Sequence, residues 1–163
     1  LCGMVRGGHP TSQAVGCFLV CGAVTLGFYG CPLWHDQGRT RFEKGLLFDR
    51  LTQLYLQTEP VYVIRLKYIW LLREVPNQVR DYLKLPGEDE GIDLVAQTFD
   101  GEFWSIQAKY RTDKSTTLTR DDLNSFSALS FAHCNNIDYG LVTHTTVNPI
   151  KKLPVFLLPA VDS

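Results

Sequence analysis

Asp93, Gln107 and Lys109 are the residues of this chain whose types and spacing suit chemistry. They supply a carboxylate, an amide oxygen and an ammonium. Oxygen donors fit a hard divalent cation such as Mg2+, and a bound cation polarises a phosphodiester and lowers the pKa of an attacking water. The peptide carbonyl of Ala108, between the two later side chains, extends the oxygen set. Lys109 would stand beside the phosphate, where it can orient the water or offset the negative charge that grows in the transition state. With glutamine in place of a second carboxylate, the set calls for another acid. The segment EKGLLFDRLTQLYLQT offers Glu43 and Asp49, and Asp49 lies at the edge of that segment's apolar stripe.

These residues meet only if two paired strands hold them. GIDLVAQT and EFWSIQAKY are rich in β-branched and aromatic residues and flank Phe99-Asp100-Gly101, which carries an Asp-Gly turn signal. A three-residue loop with Gly101 in the left-handed position sets Thr98 against Glu102 and Asp93 against Gln107. Opposed residues share a face, so Ile92 with Ala108, Leu94 with Ile106 and Ala96 with Trp104 form one apolar face, and Asp93, Gln107 and Lys109 lie on the other. A two-residue loop would set Leu94 against Gln107 and Ile92 against Lys109. That register mixes core with charge and is rejected.

Around the hairpin, Leu47, Leu51, Leu54 and Tyr55 recur at helical spacing, and Pro60 stops that helix. VYVIRLKYIWLL reads as a strand. Between Val75 and Leu85 the pattern is ambiguous, with Pro76 and Asn77 able to start a short helix that Pro86 closes. Thr119 with Asp122 is a variant capping box for a helix whose Leu123, Phe126, Leu129 and Ser130 face inward. IDYGLVTHT is a final strand. The order helix, strand, hairpin, helix, strand predicts an α/β sandwich, with a central mixed sheet flanked by helices.

The 163 residues suit one domain with a sizeable core, at 45% hydrophobic and 20% charged. The net charge of -1 excludes a globally basic nucleic-acid binder. Contact with DNA phosphates must then come from a local patch, for which Lys109, Arg111, Lys114 and Arg120 are the candidates, or from a missing neighbour domain. Cys17-x3-Cys21 with Cys31-x3-His35 has the ligand count of a structural zinc site, but the first pair sits in an apolar run, and small buried thiols are the favoured reading, for Cys134 also. Residues 1 to 38 read differently from the rest. Ala14 to Trp34 carries no charged side chain and is long enough for a membrane helix, a secretory apolar region or a buried strand pair. A stretch with no native role is favoured over an anchor, because nothing downstream calls for a membrane, and the expected location is cytoplasmic. The expected division is residues 1 to 38 as this segment, 39 to 148 as the domain and 149 to 163 as an irregular tail.

The spacing of Asp93 and Gln107-x-Lys109 after a hairpin is similar to the PD-(D/E)XK nuclease superfamily in its QxK variant, as in Mrr-like domains. EKGLLFDRLTQLYLQTEP, IWLLREVP, GIDLVAQT, FWSIQAKY and LTRDDLNSF resemble the N-terminal nuclease domain of the large restriction-modification and helicase-nuclease proteins called type ISP. That resemblance covers roughly residues 40 to 145 and implies a restriction-endonuclease-like fold and a Mg2+-dependent DNA endonuclease. Asp93, Gln107 and Lys109 would be catalytic, and the acid of the FD/FE pair, here Asp49, would assist. The family's usual glutamate is aspartate at position 49, one methylene shorter. In such proteins helicase, methyltransferase and target-recognition domains follow, none of which this chain carries, so it is expected to be a fragment or a degenerate gene product.

Other readings stand beside this one. Polar residues on the outer face of a hairpin are commonly just solvated. His133 and His144 have no paired acid or nucleophile and read as structural. Ser125, Ser127 and Ser130 show no nucleophile elbow. The alternative function is a catalytically idle nuclease-fold module that binds DNA or protein.

Overall fold

The computed structural model describes Phe18–Val20, as a strand backbone, and residues 40–87, 91–113 and 115–146. Helix α1 (Arg41–Thr58) begins at a reciprocal cap. The Glu43 N–H donates to Thr40 Oγ1 at 3.2 Å, and the Thr40 N–H donates to the Glu43 carboxylate at 2.7 Å. Its buried stripe includes Phe48, Leu51, Thr52 and Leu56.

Pro60 ends α1 and opens a single-turn helix, α2 (Pro60–Val63), so the expected strand starts late and β2 is only Leu66–Leu71. Proline's fixed φ is suited to the first helical position, and the turn buries Tyr62 against Tyr55 with ring centroids 5.9 Å apart. The ambiguous stretch resolves as a short 3-10 turn, Leu72–Glu74, and helix α3 (Asn77–Leu83), which Lys84 closes at a left-handed φ of 51°. The hairpin is β3 (Leu94–Thr98) with β4 (Phe103–Lys109).

Thr119 and Asp122 form the expected cap. The Thr119 N–H donates to the Asp122 carboxylate at 2.9 Å, and the Asp122 N–H to Thr119 Oγ1 at 3.4 Å. The helix behind it is irregular, passing from a 3-10 turn (Asp121–Leu123) through α4 (Asn124–Ala128) to a π-type turn (Leu129–His133), then to β5 (Tyr139–His144).

With β1 (Phe18–Val20) the sheet order is β1-β5-β4-β3-β2. The β2–β3 and β3–β4 pairs are antiparallel, and β4–β5 and β5–β1 are parallel. Leu56 of α1 and Tyr62 of α2 cover one face over Leu94, Ala96, Trp104 and Ile106. Leu83 of α3 and Phe126 of α4 cover the other over Val95, Phe103 and Val142. This is the α/β sandwich with a mixed sheet, the restriction-endonuclease-like fold expected from the sequence.

The hairpin register is the expected one, with Leu94 opposite Ile106 and Ala96 opposite Trp104. The Thr98 N–H donates to the Glu102 carbonyl at 2.9 Å, and Gly101 takes φ +89°. One residue departs. Ile92 is buried in the cluster on the opposite face from Ala108, because Gly91 at φ +124° turns the chain and regular alternation begins only at Leu94.

Candidate active site

The open end of the hairpin is where the strand ladder stops. The Asp93 N–H donates to the Ile106 carbonyl at 2.9 Å. Two residues further along β4, the Ala108 N–H points to the same side but finds no strand carbonyl, because Gly91 has turned the chain. It donates instead to Asp93 Oδ2 at 2.6 Å, a charge-assisted bond that seats the carboxylate against β4. In an extended strand a residue's N–H and C=O point to the same side, so the Ala108 carbonyl also lies on the Asp93 side.

Gln107 is 2% exposed, so it is not part of a solvated outer face. Its Nε2 donates to the Gly91 carbonyl at 2.9 Å, while its Oε1 is buried with no hydrogen-bond partner among the described residues. A buried acceptor left in that state costs roughly 1–3 kcal/mol. The open end of the hairpin therefore carries a fixed, desolvated amide oxygen, a carboxylate and a peptide carbonyl on paired and adjacent residues, donor types that suit a hard divalent cation. Among the described residues no group of three or more His, Cys, Asp and Glu could hold a metal, so any cation here must draw on the amide and the carbonyl.

Lys109 follows on the same face as Gln107, half-buried, in register with His144 of β5. His144 is 3% exposed, and its Nδ1 lies 2.8 Å from Thr146 Oγ1. Burial pushes its pKa down, partly offset by Thr146, which keeps the ring neutral at neutral pH. His133 is exposed.

Asp49 shares a stripe of α1 with Thr52 and Leu56, three and seven residues on. Thr52 Oγ1 lies 3.2 Å from Thr143 Oγ1, and Thr143 pairs with Ala108. The Phe48 and Tyr110 rings are 6.2 Å apart. This part of α1 thus stands over the end of β4 on the face of Ala108 and Thr143, opposite the face that carries Gln107 and Lys109, and Asp49 is half-buried there. Glu43, the other acid on α1, is committed to the helix cap. Gly91, Thr52 and Thr143 were missed in the sequence. The positive φ of Gly91 depends on tertiary contacts, and a lone threonine pair has no local signature.

Of the candidate phosphate contacts, Arg111 ion-pairs with Asp122 and donates its N–H to Thr145 Oγ1 at 2.9 Å, tying the loop after β4 to the start of the capped helix. Hydrogen bonds from Thr119, together with the Arg111 guanidinium, hold the Asp122 carboxyl below the usual carboxylate range. Arg120 is exposed, and Lys114 lies outside the described residues. So does the pattern Cys17, Cys21, Cys31 and His35. Cys134 is buried and its thiol is pushed up to about 11, as befits a packing residue. Of the apolar segment 14 to 34, only the strand Phe18–Val20 is described. Among the described residues no helix is long and apolar enough to cross a membrane.

A mixed sheet thus lies between two helical layers, with an acid, an amide and a lysine at the open end of its central hairpin. Residues 57–153 match the Mrr-type catalytic family described as "Restriction endonuclease", and the chain belongs to that family. The matched stretch contains Asp93, Gln107 and Lys109 and begins after Asp49. Among solved structures the chain is similar to the ATP-dependent Type ISP restriction-modification enzyme LlaBIII bound to DNA. The two are 35% identical with a TM-score of 0.44, over 62% of this chain and 6% of that one. The chain thus spans a small fraction of that enzyme's length. No curated protein matches the chain.

Proposed function

We propose that this chain is a Mg2+-dependent endonuclease domain that hydrolyses phosphodiester bonds in DNA. One observation carries the reading. The Asp93 carboxylate is seated on the Ala108 N–H, at the strand end that also holds the buried, unpartnered Gln107 oxygen. Asp93, Gln107 Oε1 and the Ala108 carbonyl would hold the cation. When bound, the cation supplies charge to the phosphate and a lowered pKa to the attacking water. Lys109 orients that water and offsets charge on the phosphate, and Asp49 adds the second negative charge that glutamine does not provide. Lys114 and Arg120 contact DNA phosphates, while Arg111 is committed to its ion pair with Asp122. Family membership supports nuclease chemistry. We place this activity in the cytoplasm.

Plasmid cleavage in Mg2+ tests it. The parent should nick or linearise DNA, and Asp93→Ala and Lys109→Ala should each lose activity by roughly a hundredfold or more while keeping cooperative thermal unfolding. A folded parent that cuts nothing, or variants that cut like the parent, would contradict it. The replacement of a second carboxylate by Gln107 favours a second reading, a nuclease-fold module that binds DNA without cutting. A parent that shifts DNA in a gel and leaves it intact would establish that one.

A further inference from the structure

Gly91 lies two residues before Asp93 and has no side chain to bring to the site, yet three of its features converge on Gln107. Its φ of +124° aims the chain away from the ladder. Its carbonyl accepts the Gln107 Nε2–H at 2.9 Å. A Cβ built on it would stand 3.6 Å from that same Nε2 and 3.4 Å from the backbone nitrogen of Phe126, so strand, glycine and α4 are in close contact here. Gln107 is 2% exposed, so both ends of its amide are withdrawn from bulk solvent.

Those contacts decide which way the amide faces. With Nε2 on the Gly91 carbonyl, Oε1 is the end left without a partner. The reverse orientation would set two acceptor oxygens against each other in a desolvated pocket, at the cost of a hydrogen bond and with repulsion added. A glutamate at 107 has the same difficulty in either orientation, since an ionised carboxylate only accepts.

We infer that Gly91 is a positioning residue. Its backbone carbonyl holds the Gln107 amide with the oxygen toward the cation, and so makes glutamine rather than glutamate the residue that works at this position. The inference rests on the cation-site reading above, and it inverts the ordinary expectation for that site. Adding a carboxylate to an oxygen set should strengthen binding of a hard cation. Here the added charge comes with the loss of the Nε2–H that bonds the Gly91 carbonyl, and the side chain is no longer held.

The test uses the whole chain and reads the lock before any metal is added. In the metal-free parent, the Gln107 side-chain amide protons, assigned by their loss in Gln107→Glu, should exchange with solvent at least about tenfold more slowly than those of exposed Gln78. Calorimetric titration with Mg2+ should then show that Gln107→Glu and Gln107→Met both bind about tenfold more weakly than the parent. Thermal unfolding confirms that each variant is folded. Rapid exchange of the Gln107 amide overturns the lock, and so does a Glu variant that binds Mg2+ as tightly as the parent or tighter. In both cases Mg2+ uptake by the parent leaves the cation site standing. A parent that takes up no Mg2+ while its Gln107 amide stays protected overturns the cation site, and with it the selection of glutamine.

Discussion

The two ends of the β3–β4 hairpin are made of the same strands and finish in opposite ways. At the closed end each backbone group shown finds a local partner. Thr98 bonds to Glu102 at 2.9 Å, Gly101 to the Thr98 carbonyl at 3.2 Å, and the Glu102 N–H to Thr98 Oγ1 at 3.0 Å. Phe99 is left to solvent. At the open end the pairing fails within two residues. A carboxylate stands in for a strand carbonyl at Ala108, and a buried amide oxygen has no partner among the described residues. The closed end follows the rules of strand pairing and contributes stability. Departures from those rules collect at the open end, where local consistency gives way to a site.

The comparison can be broken most forcefully at Asp93. Asp93→Ala should abolish cleavage and also leave the Ala108 N–H without its acceptor, lowering stability by about 1–3 kcal/mol in denaturant unfolding. Asp93→Asn keeps an acceptor oxygen and loses the charge, so it should recover most of the stability and none of the activity. If Asn recovers cleavage, the carboxylate is merely a strand cap.

The two hairpin glycines sharpen the contrast. Gly91→Ala places a Cβ at φ +124° against Phe126 and Gln107, and should cost about 1–3 kcal/mol along with Mg2+ affinity. Gly101→Ala, at φ +89° with nothing within 4 Å, should cost only about 1–2 kcal/mol of backbone strain and leave Mg2+ binding unchanged. Equal effects on Mg2+ binding would erase the distinction between the ends.

A smaller effect follows from pH. His144 is held neutral in the fold below its ordinary value near 6.5, so the unfolded chain takes up its proton first as pH falls. Stability should decline from about pH 6.5 downward until the folded ring also protonates. Asp122, whose carboxyl is lowered by Thr119 and Arg111, adds a second loss from its unfolded value down through its folded one. His144→Phe should flatten the first step in melting temperatures and leave the second. The smallest effect belongs to the tip, where Phe99→Ser should change stability by no more than about 0.5 kcal/mol.

Much of this was legible in the sequence because the hairpin reports on itself. Alternation at Leu94, Ala96, Trp104 and Ile106 admits one register, and that register brings Asp93 toward Gln107. The cap at Thr119 and Asp122 is equally local. What was hidden depends on contacts distant in sequence. VYVIRLKYIWLL has strand composition throughout, yet burial of Tyr62 on α1 turns its first residues into a helix. Ile92 continues the alternation on paper, but Gly91 swings it to the other face. The Gly91 carbonyl is backbone, so no residue type could announce its bond to Gln107. The half-burial of Asp49 is set by how α1 lies on the sheet, through Thr52 on Thr143.

Cation binding at the open end of the hairpin is proposed to run through Asp93. Calorimetric titration of Mg2+ into the parent and into Asp93→Asn, both folded by thermal unfolding, tests it most directly. The account predicts saturable binding by the parent and its loss in the variant, while equal binding by the two would contradict it.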